Sequence, residues 1–396
     1  MLIAIVADCY PPMQSSAALM IKDLSIELVI QGHNPIVIIP DSTIDAPIIR
    51  SVDKGIQVLR IKAFQTKDVG YMRRALSEFY MPYKMLRSLK KSHFFDLSLD
   101  AVIWYSPSIF HGPLVKALKK SNGCKSYLIL RDIFPEWAVN LGIIRRGLSY
   151  QIFKLIEAYQ YSVADTIGIQ SPANYKHIEK WDIPNQRSIE VLQNWLGNTT
   201  NIDCNISVQN SVLTDRTIFV YAGNMGISQG IGGFLDVVER LDGIRNDIGF
   251  IFVGRGSDML NFYGEVAKRH LSNILFFDEI PQQELGRLYD QCHFGLVFLD
   301  ARHLTHNIPG KFISYMKNGL PVLACINDGN DLFEIIKSKK VGKAFVGIDI
   351  DEIVPDIELM VDQLENDKEI TLRCKALASE LFSSKRAVKQ IVNTFK

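Results

Sequence analysis

The chain has 396 residues, 47% apolar, 10% aromatic and 22% charged. That is enough for two domains and is too apolar for a disordered, collagen-like or coiled-coil protein. Lys+Arg 44 against Asp+Glu 43 leaves a net charge of +1, so composition makes no case for nucleic acid, and attraction to any polyanion has to come from a local patch. The scattered cysteines Cys9, Cys124, Cys204, Cys292, Cys325 and Cys374 form no metal spacing and read as reduced thiols of a cytoplasmic protein.

Residues 2–6 are apolar, lack a basic lead-in and soon meet Asp8, which predicts a strand rather than a signal peptide. No apolar run approaches the roughly 18 residues needed to span a bilayer. The following loop, 7–17, is stiffened by Pro11 and Pro12. Its small Ser15 and Ser16 can cap the next helix or let a ligand approach its N-terminus. Strands are predicted at 35–39, 57–61, 101–105, 126–130 and 165–169. Between several of them, 17–31, 110–120 and 150–163 carry apolar residues at helical spacing. Such alternation predicts a parallel sheet covered by helices on both faces.

Two stretches of this half stand out. Residues 67–91 hold Lys67, Arg73, Arg74, Lys84, Arg87, Lys90 and Lys91 against only Asp68 and Glu78, with Tyr71, Phe79, Tyr80 and Tyr83 interleaved. The mixture suits an anionic membrane surface, where each cation contributes about 1 kcal/mol. A half-buried helix with a solvated basic face fits it equally well. Beyond the strand at 126–130 stand Arg131, Asp132 and, four residues on, Glu136. They read either as substrate-facing charges or as a structural ion pair.

The polar stretch 198–213 reads as a linker, after which the pattern restarts. Strands are predicted at 217–221, 248–253, 273–277, 295–299 and 321–324, with helices at 229–241, 282–289 and 311–317. The first of these strands runs into Gly223-Asn224-Met225-Gly226, with Gln229 and Gly230 opening a helix. Glycines let a backbone approach a ligand, and a helix N-terminus favours phosphate. The spacing is not the G-x-G-x-x-G of dinucleotide sites, and a tight turn without ligand is the plain alternative. Gly254-Arg255-Gly256 closes the next strand in the same manner. Lys311, in a helix's first turn, is at the wrong end for the helix dipole unless an anion sits there; a solvated lysine is the other reading. His303 and His306 have a metal-like spacing, but hydrogen bonding is the simpler role. Asp349-Ile350-Asp351 matches a metal-binding D-x-D, yet it opens a helix where acids are favoured anyway. Val388, Ile391, Val392 and Phe395 end the chain on an amphipathic helix. The organisation predicted is a first domain at 1–197, a linker at 198–213, a second domain at 214–378 and a terminal helix at 379–396. The two domains are α/β and Rossmann-like, facing a cleft.

In this order, the loop at 10–17, Ser171-Pro172, Leu192-Gln193-Asn194-Trp195, and residues 221–230, 253–256, 277–281 and 310–321 resemble the family-four retaining glycosyltransferases of the GT-B fold. With Arg131–Glu136 they look closest to the subgroup that includes N-acetyl-fucosamine transferases of bacterial surface-polysaccharide assembly. The resemblance implies a GT-B architecture with the terminal helix crossing back to the first domain. It further implies a UDP-sugar donor, such as UDP-N-acetyl-fucosamine, and a polyprenyl-diphosphate-linked saccharide acceptor. The setting would be O-antigen or capsule assembly, with the chain peripheral on the inner face of the cell membrane through residues 67–91. Neither a cofactor nor a metal is implied. The catalytic residues would be Arg131, Asp132, Glu136 and His306. The nucleotide-sugar would meet Ser15, Ser16, Gly223, Asn224, Gly226, Gln229, Gly254, Arg255, Ile280, Asn307, Ile308, Pro309, Lys311 and Ser314. The family usually has a histidine where Arg131 stands, cations near Asn224 and Gln229, and two glutamates at the places of His306 and Ser314. A non-catalytic sugar-nucleotide-binding scaffold and a UDP-sugar epimerase on the same fold are the rival readings.

Overall fold

The computed structural model describes residues 1–13, 15–66, 69–140, 142–197, 201–226, 231–257, 259–300, 308–364 and 366–396. The chain forms two units, Met1–Gly197 with Ser383–Lys396, and Asn198–Phe382.

The first unit is built on strands β1 (Leu2–Val6), β2 (Asn34–Asp41), β3 (Ile48–Asp53), β4 (Ile56–Lys62), β5 (Ala101–Tyr105), β6 (Lys125–Leu130), β7 (Thr166–Ile169) and β8 (Ser188–Val191). They form one sheet in the order β3-β4-β2-β1-β5-β6-β7-β8, parallel except for β3 against β4. Central strands such as Ala101-Val102-Ile103-Trp104-Tyr105 are buried along their whole length, because helices cover both faces. The helix Ser384–Asn393 completes this unit. Ala387, Val388, Ile391 and Val392 join its core, and Gln390 donates to the Val191 carbonyl at 2.9 Å. The terminal helix thus begins at Ser384 rather than 379, since the helix Ile370–Leu381 before it belongs to the second unit.

The second unit holds β9 (Thr217–Ala222), β10 (Ile248–Val253), β11 (Ile274–Phe277), β12 (Phe294–Phe298), β13 (Val322–Ile326) and β14 (Gly342–Val346), all parallel, in the order β11-β10-β9-β12-β13-β14. One face of this sheet is aromatic. Phe219 stacks on Phe294 at 4.7 Å between ring centroids, and Tyr221 stacks on both Phe252 and Phe298 at 5.7 Å. Wide, stiff rings packed side by side hold β9 and its following turn in place.

The sequence reading missed β3, β8 and β14. All three are edge strands, largely solvated on at least one side, so none shows the unbroken apolar run of an inner strand. The stretch 198–213 also differs from a free polar linker. Its described part, 201–213, lies along the second unit, with Ile202 N–H on the Gln283 carbonyl at 3.0 Å and Val208 N–H on Gln291 Oε1 at 2.9 Å. Ile206, Val208 and Leu213 are buried there. Asp349 caps the helix Ile350–Asp362 by accepting from Asp351 N–H at 3.0 Å, the local role that its position favoured.

Candidate functional site

Each sheet has one place where successive connections leave in opposite directions. In the first it lies between β1 and β5, and in the second between β9 and β12. Backbone diverges there at the strands' carboxyl ends and leaves a crevice, the usual ligand position in open α/β sheets.

At the second unit's switch point, β9 enters the turn Gly223–Gly226, which is laced to the end of β10. Gly223 N–H donates to the Val253 carbonyl at 2.9 Å, and Met225 N–H to the Arg255 carbonyl at 2.8 Å. This close approach explains the second pair of glycines. A Cβ on Gly254, at φ +154°, would strike the Gly223 carbonyl, and one on Gly256 would strike that of Met225. Gly254 and Gly256 thus allow close contact between the two loops, and Gly254 is also among the residues the resemblance gave to the nucleotide-sugar. Gly223, at φ +142°, faces the Lys311 side chain, whose Cε lies 3.3 Å from where a Cβ would stand.

Lys311 stands in the first turn of the helix Gly310–Asn318, with Pro309 at the cap position and Ile308 fully buried before it. Its ammonium donates to Tyr221 Oη at 2.7 Å and lies 4.2 Å from the centre of that ring, while Tyr221 Oη donates to the Asn224 carbonyl at 2.6 Å. Lysine, tyrosine and glycine turn are one connected unit. Tyr315, one turn further along, fixes the helix to β9 by donating to the Val220 carbonyl at 3.1 Å and accepting from Ala222 N–H at 3.0 Å. Gly295 on β12 makes room for its ring. Burial pushes the Lys311 pKa down to about 7. A cation is thus held where both desolvation and the positive end of a helix oppose it, and an anion at this point relieves both. A cavity of about 200 Å³ lined by Met225, Gly226, Ile231, Gly232, Asn261 and neighbours adjoins the turn. A larger groove of about 650 Å³ lies by Phe294 and Gly342, at the amino ends of β12 and β14, away from both turn and lysine.

The remaining predicted residues of this unit are less concentrated. Arg255 is exposed and pairs with exposed Glu279 at 2.9 Å, an interaction weak enough to exchange for another. Ile280 is half-buried just before the helix Gln282–Tyr289, and Ser314 is half-buried one turn beyond Lys311. Gln229, His303, His306 and Asn307 lie outside the described residues.

At the first unit's switch point the chemistry is carried by side chains. Asp8, two residues past β1, meets His111 at the start of the helix Gly112–Asn122, with Oδ1 to Nε2 2.8 Å. His111 is fully buried, and its Nδ1 has no hydrogen-bond partner among the described residues. Glu78, from the helix Tyr71–Lys90, faces the pair. Burial raises its pKa, the hydrogen bond and charge of Arg74 oppose the rise, and Asp8 adds to it. Sequence reasoning missed this cluster. Its signal was two polar residues just beyond β1 and β5, adjacent strands in the sheet but separated by 103 positions in the chain.

Arg131, at the end of β6, is buried and turned away from solvent. Nη1 donates to the Leu192 carbonyl at 2.7 Å, Nη2 lies 3.4 Å from that of Gln193, and the guanidinium stands 5.0 Å from the centre of the Trp195 ring. Trp195 in turn donates to the Met20 carbonyl at 3.0 Å. The Leu192–Trp195 motif therefore anchors the end of this unit's main segment, with Arg131 one of its ties, beside Trp195 and the Leu192 N–H, which donates to the Ile169 carbonyl at 2.7 Å. Asp132 is half-buried, and burial raises its pKa against the opposing charge of Arg131. For Glu136, burial works upward, but hydrogen bonds from Tyr150 at 2.9 Å and Lys154, with the Lys154 and Arg146 charges, outweigh it and leave the pKa lowered. Ser15 caps the helix Ser16–Ile30 by accepting from Ala18 N–H at 3.2 Å, and Ser16 is exposed in its first turn. Among the described residues no group of three or more His, Cys, Asp or Glu side chains is placed to hold a metal ion.

No protein-family model matches the sequence. It is 22% identical over 238 residues to WbjE of Pseudomonas aeruginosa, named a probable glycosyltransferase, covering 57% of each chain. It is 25% identical over 210 residues to WcaI of Escherichia coli (strain K12), named for glycosyl transfer in colanic acid biosynthesis, covering 48% of this chain and 50% of that one. The matched region thus spans about half the length of these curated relatives. Solved structures match the whole chain. Sucrose-phosphate synthase from Thermosynechococcus elongatus superposes with a TM-score of 0.73 at 13% identity, over 100% of this chain and 98% of that one. Anabaena Alr3699/HepE, in complex with UDP and glucose, superposes with a TM-score of 0.67 at 12% identity, over 100% and 99%. The chain has the GT-B fold of two Rossmann-like domains.

Proposed function

We propose that this GT-B chain is a glycosyltransferase of bacterial surface-polysaccharide assembly, moving a sugar from a UDP-sugar to a lipid-linked saccharide with retention at the anomeric carbon. The observation that carries the reading is Lys311, held beside the glycine turn at the second sheet's switch point with its pKa pushed down to about 7 by burial. Likeness to a protein named a probable glycosyltransferase and to one named for glycosyl transfer in colanic acid biosynthesis, and the UDP complex of a protein with the same fold, support it.

The donor's diphosphate lies at the N-terminus of the helix Gly310–Asn318, taking the Lys311 ammonium and the Asn224 and Gly226 N–H groups. The uracil rests near Ile280, with Pro309, Ile308 and Ser314 shaping the sugar side and Arg255 free to leave Glu279 for a phosphate. As the bond between anomeric carbon and diphosphate oxygen breaks, negative charge grows on the leaving oxygen, where Lys311 and the backbone donors stabilise it. The acceptor hydroxyl forms the new bond on the same face, and its proton passes to the leaving phosphate. No protein nucleophile or metal is required. In the first unit Asp8, held in place by the buried His111, and Asp132 orient the acceptor's hydroxyls. Arg131 and Glu136 act as positioning residues, the one through Leu192–Trp195 and the other through Tyr150 and Lys154. The basic helix Tyr71–Lys90, with exposed Leu76, Phe79, Tyr80 and Tyr83, lies against an anionic membrane surface where such acceptors reside.

The test is incubation with a panel of UDP-sugars and a short lipid-diphosphate saccharide. Sugar on the lipid with retained anomeric configuration is the expected outcome. An isomerised free donor, or tight UDP binding with no turnover under any pairing, would replace this reading with epimerase or scaffold.

A further inference from the structure

The helix Leu148–Val163 is built inside out. Its two charged residues, Lys154 and Glu157, pair with each other and point inward, where Lys154 also reaches Glu136 at 3.2 Å and Glu157 accepts from Tyr161 Oη at 3.2 Å. Gln160 is fully buried, with neither amide atom hydrogen-bonded among the described residues. Outward the helix presents Leu148 at 79% exposure, Ile152 at 48%, Leu155 at 72% and Tyr159 at 37%, spaced i, i+4, i+7, i+11 along one stripe. Only Ser149, Gln151 and Ser162 share that exposed surface. A helix facing water has the opposite arrangement. Single exposed apolar residues are ordinary, but a continuous stripe of four marks an interaction surface.

The surrounding charges name the occupant. Arg145 and Arg146 are exposed at the helix's leading end, beside exposed Ile143, and cations there oppose the helix dipole. Lys116, from the helix Gly112–Asn122, stands 5.4 Å from the centre of the Tyr159 ring. Among the described residues from 142 to 163, no carboxylate is exposed. An apolar stripe rimmed by cations and free of exposed acids complements an anionic bilayer, with acyl chains for the leucines and lipid phosphates for the arginines. A second copy of this chain would bring the same cationic rim against itself. No described helix is long and apolar enough to cross a membrane, so the stripe lies along the interface.

We propose that the helix Leu148–Val163 docks in the plane of an anionic membrane, with Leu148, Ile152, Leu155 and Tyr159 among the acyl chains and Arg145 and Arg146 on the headgroups. In giving a lipid-linked acceptor its docking plane, the inference rests on the proposed function, but the surface can be tested without any acceptor. The full chain is floated with vesicles of phosphatidylcholine alone and of phosphatidylcholine with 30% phosphatidylglycerol. The expected result is binding to the anionic vesicles that falls at least tenfold in Leu148→Ser/Leu155→Ser and also falls in Arg145→Gln/Arg146→Gln. A Leu155→Trp variant adds a fluorescence component that brominated acyl chains quench. Each variant's thermal unfolding is measured alongside, and these exposed positions leave it unchanged. Flotation of the double-serine variant equal to wild type, or fluorescence in Leu155→Trp no more quenched than wild type, overturns the proposal. So does a lipid-independent dimer that Leu155→Glu splits. Vesicle binding by a chain that transfers no sugar from any donor upholds the membrane surface while removing the glycosyl-transfer reading.

Discussion

The two switch points answer the same topological question with different materials. In the second unit the crevice between β9 and β12 is made of backbone, with glycines at 223, 254 and 256 packing two strand ends together and the Lys311 side chain laid beside Gly223. In the first unit the crevice between β1 and β5 is made of side chains, an Asp8–His111 pair faced by Glu78. Backbone amides and a buried lysine that gains its charge as an anion binds suit a diphosphate. A carboxylate–imidazole pair suits hydroxyls, whose protons must be held or moved. Under the proposed function, the donor belongs to the second unit and the acceptor to the first.

The largest test of that division is Lys311→Met. It should lower kcat/KM by about 10²–10³, the effect of removing a donor aimed at developing negative charge. It should also raise the thermal stability of the ligand-free protein. The folded-state pKa is about 7 against 10.5 for an ordinary lysine. Between these values the unfolded chain binds the proton more firmly, and the residue's penalty shrinks as pH rises. The stabilisation by methionine is therefore greater at pH 7 than at pH 10, as thermal melts at the two pH values would record. Gly254→Ala comes next. It asks a Cβ to occupy the space of the Gly223 carbonyl at an unfavourable φ, costing about 2–4 kcal/mol in denaturant unfolding and weakening UDP binding with it.

His111→Gln sharpens the comparison from the other side. It should reduce transfer to the acceptor by about 10²-fold and leave UDP affinity within twofold, a separation that Lys311→Met does not show. Arg131→Leu strands the Leu192 and Gln193 carbonyls and should cost about 2 kcal/mol in stability, again without changing UDP affinity. The smallest effect belongs to Arg255→Ala, whose exposed pair with Glu279 contributes at most about 1 kcal/mol. If Arg255→Ala weakened UDP more than Lys311→Met does, the donor site would have been drawn around the wrong cation.

How much of this was legible in the sequence follows from the same contrast. Inner strands such as Ile248–Val253 are buried along their length and announce themselves as apolar runs, so the α/β pattern and the restart after the first unit were readable. Edge strands such as β3, with most of its residues exposed, carry no such run. The glycine turn was visible because glycine leaves a local trace, though the trace does not say whether a ligand or a neighbouring loop needs the space. At Gly254 and Gly256 the backbone of a neighbouring loop stands where a Cβ would go. Lys311 was visible because it violates the helix dipole. Asp8 and His111 violate nothing locally and become a pair only when β1 and β5 align. Arg131 misled for the complementary reason. Its neighbour Asp132 suggested a charge cluster in sequence, but the guanidinium reaches carbonyls about sixty residues further along. The inward-turned charges of Leu148–Val163 were equally hidden, since periodicity marks an apolar stripe without saying which way it faces.

The central claim is that Lys311 gives its charge to a diphosphate, and calorimetric titration of UDP at pH 8 in buffers of different ionisation enthalpy tests it most directly. With its pKa at about 7, Lys311 is mostly neutral at that pH and must take up a proton when the diphosphate binds. The expected results are net uptake approaching one proton per UDP, affinity falling as pH rises from 7 to 9, and loss of both in Lys311→Met. UDP binding of equal strength in wild type and variant, with no proton taken up, would contradict it.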